Sequence, residues 1–225
     1  PVADTSSGGG GDDEKFSFFV TSIEAMQKLS GSKDGFGGDL GGLEGADDIC
    51  QKVAATVGGG NKTWRAFLSV TKDKNGKRVD AIDRIGKGPW YDRNSRLIAK
   101  NLEDLVNVRP KGDAQSVADL PNELGQGQKQ FGDNHDTLTG SNPQGRLYKN
   151  DPATTCQDWT SAVGPGSEKM VMGGHSWPRE QKGGGGSTGK GGKGVPAAAI
   201  NACKDKKEKD TCKWTPSGKG GKGGK

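Results

Sequence analysis

The chain has 225 residues, of which 29% are hydrophobic and 40 are glycine. Apolar side chains therefore cannot fill a core over its full length, and one core of about 150 residues with irregular flanks is expected. The net charge of +5 is unevenly placed: residues 182–225 hold 11 Lys against 3 acids, or +8, which leaves −3 for residues 1–181. No stretch approaches the run of about 20 apolar residues that a membrane helix needs, and Phe18-Phe19-Val20 is the longest apolar cluster. The chain starts at Pro1 rather than Met, as removal of a targeting segment would leave it.

In chain order, residues 1–15 combine four consecutive glycines with an acidic cluster and read as a solvated leader. Order is expected from Phe16, where KFSFFVTS alternates like a strand. A glycine-punctuated loop, DGFGGDLGGLEG, leads to a helix. There Ala46, Ile49, Cys50, Val53, Ala54 and Val57 recur at helical spacing and make one face apolar. Asp47 and Asp48 suit its first turn, and Gly58 ends it.

Thr63–Val70 (TWRAFLSV) is predicted as a strand with Trp64, Ala66, Leu68 and Val70 on one face. The segment DRIGKGPWYDRNSRLIAKN reads as loop and short strands, and residues 109–136 as a long polar surface excursion. TLTGSNPQGRLY reads as strand, turn and strand, with N-P-Q-G as the turn. TTCQDWTSA and KMVMGGHSWPR are predicted as the last strands.

Past Arg179 the domain is taken to end near residue 181. A Gly/Lys linker (182–195), a small two-cysteine unit (196–216) and a basic tail (217–225) follow. Short strands, one good helix and long loops describe an α+β domain.

Four cysteines, Cys50, Cys156, Cys203 and Cys212, in a loop-rich chain favour disulfides and an oxidising compartment. No C-x-x-C pair exists and both histidines lie far from any Cys, so zinc is disfavoured. The segment GGGGSTGKGGKG loosely matches a phosphate loop, but Gly191 stands where Ser or Thr must hold Mg²⁺, and the reading is rejected.

Four blocks in fixed order carry a resemblance. They are GGLEGADDICQKVAATVG running into TWRAFLSV (42–70), DRIGKGPWYDRNSRLIAKNL (83–102), NHDTLTGSNPQGRLY (134–148), and TCQDWTSA (155–162) with GHSWPR (174–179). Together they resemble bacterial endostatin-like proteins of the C-type lectin-like fold, relatives of the C-terminal domain of collagen XVIII. The resemblance implies one main helix, a twisted antiparallel sheet and long loops. It also implies a non-catalytic role in binding glycans or matrix proteins, and adhesion at the cell surface. The chain departs from the family where a final strand of the type G-x-I-Y-C-F is expected, for Gly/Lys linker stands there instead. Cys50 and Cys156 match family positions, but their usual partners do not. The pairing stays open between Cys50–Cys156 with a local Cys203–Cys212, and a nested Cys50–Cys212 with Cys156–Cys203. The local Cys203–Cys212 bridge is favoured because a short interval closes easily.

Candidate ligand-binding residues are Trp90, Tyr91, Arg93, His135, Asp136 and His175. Trp90-Tyr91 is the aromatic pair best suited to stack on a sugar, against a favoured core or half-buried position. His135 and His175 could converge with Asp133 or Asp136 on a metal or catalytic centre. With no third nitrogen ligand, structural hydrogen bonding is the favoured role. Asp113, Asp119, Glu123, Asp133 and Asp136 offer oxygens for a structural Ca²⁺, but no D-x-D-x-D-G spacing appears, and the E-P-N or Q-P-D tripeptide of sugar-coordinating lectins is absent. No other cofactor is expected.

The lysines of the tail, Lys190, Lys193, Lys204, Lys206, Lys207, Lys209, Lys213, Lys219, Lys222 and Lys225, would attract polyanions such as acidic or sulfated glycans, with nucleic acid disfavoured. A solvated tail that aids solubility is the plain alternative. The expected function is an extracytoplasmic, non-catalytic binding or adhesion module, secreted, periplasmic or at the cell surface. The competing expectation is a structural or accessory subunit of a surface assembly. A hydrolytic enzyme is disfavoured.

Overall fold

The computed structural model describes residues 1–3, 15–106, 110–131, 136–163 and 171–175. The architecture is mixed helix and sheet, with regular elements short and connections long. In order, β1 (Val2–Ala3), α1 (Ile23–Ser30), α2 (Gly42–Thr56), β2 (Trp64–Arg65), β3 (Trp90–Tyr91) and β4 (Leu97–Ala99) are followed by α3 (Leu102–Leu105), α4 (Ala114–Ala118), β5 (Asp136–Leu138) and β6 (Gly173–His175). The strands form antiparallel pairs, β1 with β2, β3 with β4 and β5 with β6. Isolated bridges extend this ladder, among them Val70 with Val79 and Ser141 with Leu147.

The helix expected from Ala46 forms and starts earlier, at Gly42. Its buried residues are Ala46, Ile49, Cys50, Val53 and Ala54, the face the periodicity marks. That face packs on an aromatic cluster in which Phe16, Phe19 and Trp64 lie with ring centroids 4.9 to 5.7 Å apart. The Trp64 indole N–H donates to the Gly59 carbonyl at 2.7 Å, so the buried donor is satisfied. A second cluster gathers Val2, Phe18, Ile82, Ile85, Trp90, Ile98, Ala99 and Leu120.

Three features depart from the sequence reading. The leader was expected to stay outside the fold up to Lys15, yet Val2 is 1% exposed in the second cluster and pairs with Arg65. A two-residue strand is too short to show periodicity, so only its partner reveals it. Helix α1 lies between the expected strand and the glycine-punctuated loop, in a stretch for which there is no expectation. Ser22 caps it by accepting from the Ala25 N–H at 3.1 Å, and Gly31, at φ 67°, ends it.

The third change concerns TTCQDWTSA, expected as a strand. Cys156, Gln157, Asp158 and Trp159 have φ of 50°, 56°, 56° and 66°, and make a left-handed turn of four residues none of which is glycine. Each such residue costs about 1–2 kcal/mol relative to the right-handed form. The turn persists because the surroundings hold it. The Asp158 carboxylate accepts from Thr71 and Lys72, and the Trp159 indole donates to the Ser69 carbonyl at 2.9 Å.

Candidate functional site

One local structure recurs four times. It occupies Asp73–Lys77, Asp92–Arg96, Asn122–Gln126 and Asn142–Arg146. In each, the first residue's side-chain oxygen accepts from the backbone N–H groups two and four positions on, at 2.8 to 3.1 Å. The first residue's own N–H donates to the fifth carbonyl, and the fourth N–H donates to the first carbonyl. The fourth residue is left-handed: Gly76, Ser95, Gly125 and Gly145 have φ of 73°, 59°, 77° and 73°. These are three-residue hairpin loops with the bulged residue at positive φ, locked by an Asp or Asn. Sequence reading found only the N-P-Q-G turn. The signal that marks all four is Asp or Asn followed three residues later by Gly or Ser.

The turns pair in space. The Asn94 side-chain amide donates to the Gly125 carbonyl at 2.8 Å, which joins the second and third. The first and fourth meet through Asp80, whose Oδ1 accepts from Arg78 at 2.8 Å and from the Leu147 N–H at 2.9 Å, while Oδ2 accepts from Arg146 at 3.0 Å. Burial pushes the Asp80 carboxyl up, but the hydrogen bonds from Leu147, Arg78 and Arg146 outweigh it and hold the pKa below the ordinary value.

This arrangement concentrates positive charge. The hairpin between Val70 and Val79 carries exposed Lys72, Lys74, Lys77 and Arg78 around one acid, Asp73. Asp73 is occupied by the Lys77 and Asn75 N–H groups, and the Lys77 hydrogen bond is the main cause of its lowered pKa. Arg146, with its side chain 55% exposed, stands beside this hairpin across Asp80. Lys74 pairs with Glu44 of α2, which raises its pKa. The outcome is a tip with four exposed cations, of which Lys74 is paired with Glu44 and Arg78 with Asp80, beside Arg146, which is paired with Asp80 and Asp83.

The residues expected to bind ligand are not all brought together. Trp90 is fully buried in the second core cluster, so it cannot stack on a sugar. Its place after Gly88-Pro89 does not expose it, because β3 is covered by the packing of Phe18, Ile98 and Ala99. Tyr91 is half-buried, with the Lys15 ammonium 5.9 Å from its ring. The Arg93 guanidinium lies 5.6 Å from the Phe16 ring. Asp136 and His175 are opposed on β5 and β6, which brings those two backbone positions together. His135, Asp133, Cys203, Cys212 and the tail lysines lie outside the described residues, as do the expected linker and two-cysteine unit.

Three of the five carboxylates considered for Ca²⁺, Asp113, Asp119 and Glu123, have framework partners. Asp113 caps α4 through Gln115 and Ser116, Asp119 accepts from Gln128 and Lys129, and Glu123 accepts from the N–H and hydroxyl of Ser22. Among the described residues no cluster of three or more acids, histidines or cysteines could hold a metal ion. Cys50 and Cys156 are both buried free thiols, so the Cys50–Cys156 bridge does not form. Burial pushes the Cys50 thiol up to about 11. Among the described residues no helix is long and apolar enough to cross a membrane.

The fold and this surface define a small α+β scaffold that presents stiff, polar hairpin tips. No protein-family model matches the chain, and no curated protein matches it in sequence.

Proposed function

We propose that this protein is a non-catalytic binding module that works outside the cytoplasm and recognises acidic glycans, with an endostatin-like, C-type lectin-like core. The observation that carries the reading is the cationic hairpin Val70–Val79 and its neighbour Arg146. Four exposed cations held on Asx-locked turns lose little freedom when a polyanion docks, whereas the same cations on a floppy loop would lose more. The lysines of residues 182–225 add attraction without shape. Half-buried Asp47 and buried Asp80, Asp92 and Glu123 serve as acceptors for backbone, hydroxyl and arginine donors, which suits a framework role.

The test is binding of the full chain to immobilised heparin as an acidic-polysaccharide probe, across a salt series. Binding should weaken steeply with salt. Lys72→Glu with Lys77→Glu should weaken it about tenfold or more, and removal of 182–225 should weaken it further. Absence of saturable binding by the full chain sinks the reading. Binding insensitive to the hairpin variant but lost with the tail moves the site to the tail.

A further inference from the structure

The left-handed turn Cys156–Trp159 has little sequence reason to be left-handed: it contains no glycine, and only Asp158 is of a type that visits that region, and then as a single residue. What holds it comes from elsewhere in the chain: Cys156 and Trp159 are buried in the first core cluster with the apolar face of α2, and the side-chain hydrogen bonds come largely from one place. Asp158 Oδ1 accepts from the Thr71 N–H at 2.7 Å, and Oδ2 from the Thr71 hydroxyl at 2.7 Å and the Lys72 N–H at 3.2 Å. Trp159 donates to the Ser69 carbonyl, and its own carbonyl accepts from Leu40 at 2.9 Å. Ser69, Thr71 and Lys72 form the base of the hairpin that carries the cations.

The turn is also tightly packed at Cys156. Gly38 sits so close to Cys156 that a Cβ there would meet its Sγ at 2.4 Å and its Cβ at 2.5 Å. The turn is thus clamped between Gly38 and the hairpin base, in a backbone conformation its residues would leave if either side gave way.

We propose that the Cys156–Trp159 turn is a sprung latch between the hairpin and the core, so that turn and hairpin base open together as one local unit while α2 stays folded. The Asp158 carboxylate is the catch. Two hydrogen bonds tie it to Thr71, one to Lys72 and one to Thr155, so loosening the hairpin base releases the turn and loosening the turn frees the base.

Two buried thiols report on the two halves of this claim. Cys156 lies inside the turn at 2% exposure, and Cys50 lies in α2 at 4%. The experiment is modification of the reduced full chain by N-ethylmaleimide under native conditions, with each site followed by peptide mass spectrometry. In the unaltered protein the Cys156 rate should respond weakly to low urea, as a local opening does, and the Cys50 rate strongly, as a global one does. Asp158→Ala should speed modification of Cys156 by about tenfold or more while the urea dependence of the Cys156 rate stays weak, so that the opening it promotes is the local one. Thr71→Val, a milder change, should act in the same direction and less. The latch is overturned if both sites show the same urea dependence in the unaltered protein, or if Asp158→Ala leaves the Cys156 rate unchanged or makes it as urea-dependent as the Cys50 rate.

Discussion

The carboxylate of Asp158 accepts hydrogen bonds from both the backbone N–H and the hydroxyl of Thr71, 87 positions earlier, each at 2.7 Å. A further two donors, the Lys72 N–H and the Thr155 hydroxyl, complete its shell. Hydrogen bonds to a charged acceptor are individually stronger than neutral ones, and losing the acceptor strands its donors. Asp158→Ala should therefore destabilise the fold by about 3 kcal/mol, and Asp158→Asn, which keeps one acceptor oxygen, by about half as much. Urea midpoints of the variants against the unaltered protein measure both.

The recurring turns allow a controlled comparison of strain and packing. Gly76 and Gly145 share a φ of 73°, but an added Cβ meets nothing within 4 Å at Gly76, while at Gly145 it meets Ile82 Cβ at 2.9 Å and Phe67 Cζ at 3.0 Å. Gly76→Ala should cost about 1 kcal/mol, the left-handed strain alone. Gly145→Ala should cost about 2–3 kcal/mol, because the core must also shift. Thermal melts that show equal losses would contradict this account of the fourth turn.

Asp80 makes stability fall in acid. Its pKa is lower in the folded state than the ordinary 3.8, so its contribution is complete above that value and is lost as pH falls through the folded pKa. Asp80→Asn should lower stability at neutral pH, because the charge facing Arg78 and Arg146 is gone. It should also flatten the drop in melting temperature below about pH 4. A variant with the same acid limb as the unaltered protein would assign that limb to other carboxylates.

Cys50 acts at the other end of the scale. Burial raises its thiol from 9.0 to about 11, so the folded state holds the proton more tightly than the unfolded chain. The resulting stability is complete below pH 9 and is lost as pH rises towards 11. The shift corresponds to about 3 kcal/mol. Cys50→Ala should remove much of the alkaline loss while lowering stability at pH 7 through lost packing. Chemical denaturation at pH 7, 9 and 10.5, each within about half a unit, separates the two effects.

Several elements were legible because their causes are local. The apolar spacing from Ala46 to Val57 places α2 on the core, since residues three and four apart share a face whatever the rest of the chain does. The N-P-Q-G turn forms where its residues demand it, with Gly145 at positive φ. The strand at Gly173–His175 falls within the segment expected to close the domain. The other three turns carried the same signal, an Asp or Asn three residues before Gly or Ser. Asp92–Arg96 and Asn122–Gln126 fall in segments that read as loop and Asp73–Lys77 in one with no assignment, because a lone acid or amide more often faces water than its own backbone.

The amino-acid sequence by itself determined the main helix, the hairpin tips and the concentration of lysine and arginine on one of them, because periodicity, turn chemistry and charge act over a few residues. Tertiary structure alone decided that Trp90 is core rather than surface, that Val2 completes a strand pair, and that Cys156–Trp159 coils to the left. In each case a deciding partner lies far along the chain: Val2 and Phe18 in the cluster with Trp90, Arg65 opposite Val2, Thr71 against Asp158. A left-handed turn of ordinary residues runs against local preference. It exists because distant hydrogen bonds and close packing outweigh that preference, and nothing within four residues of Asp158 could announce them.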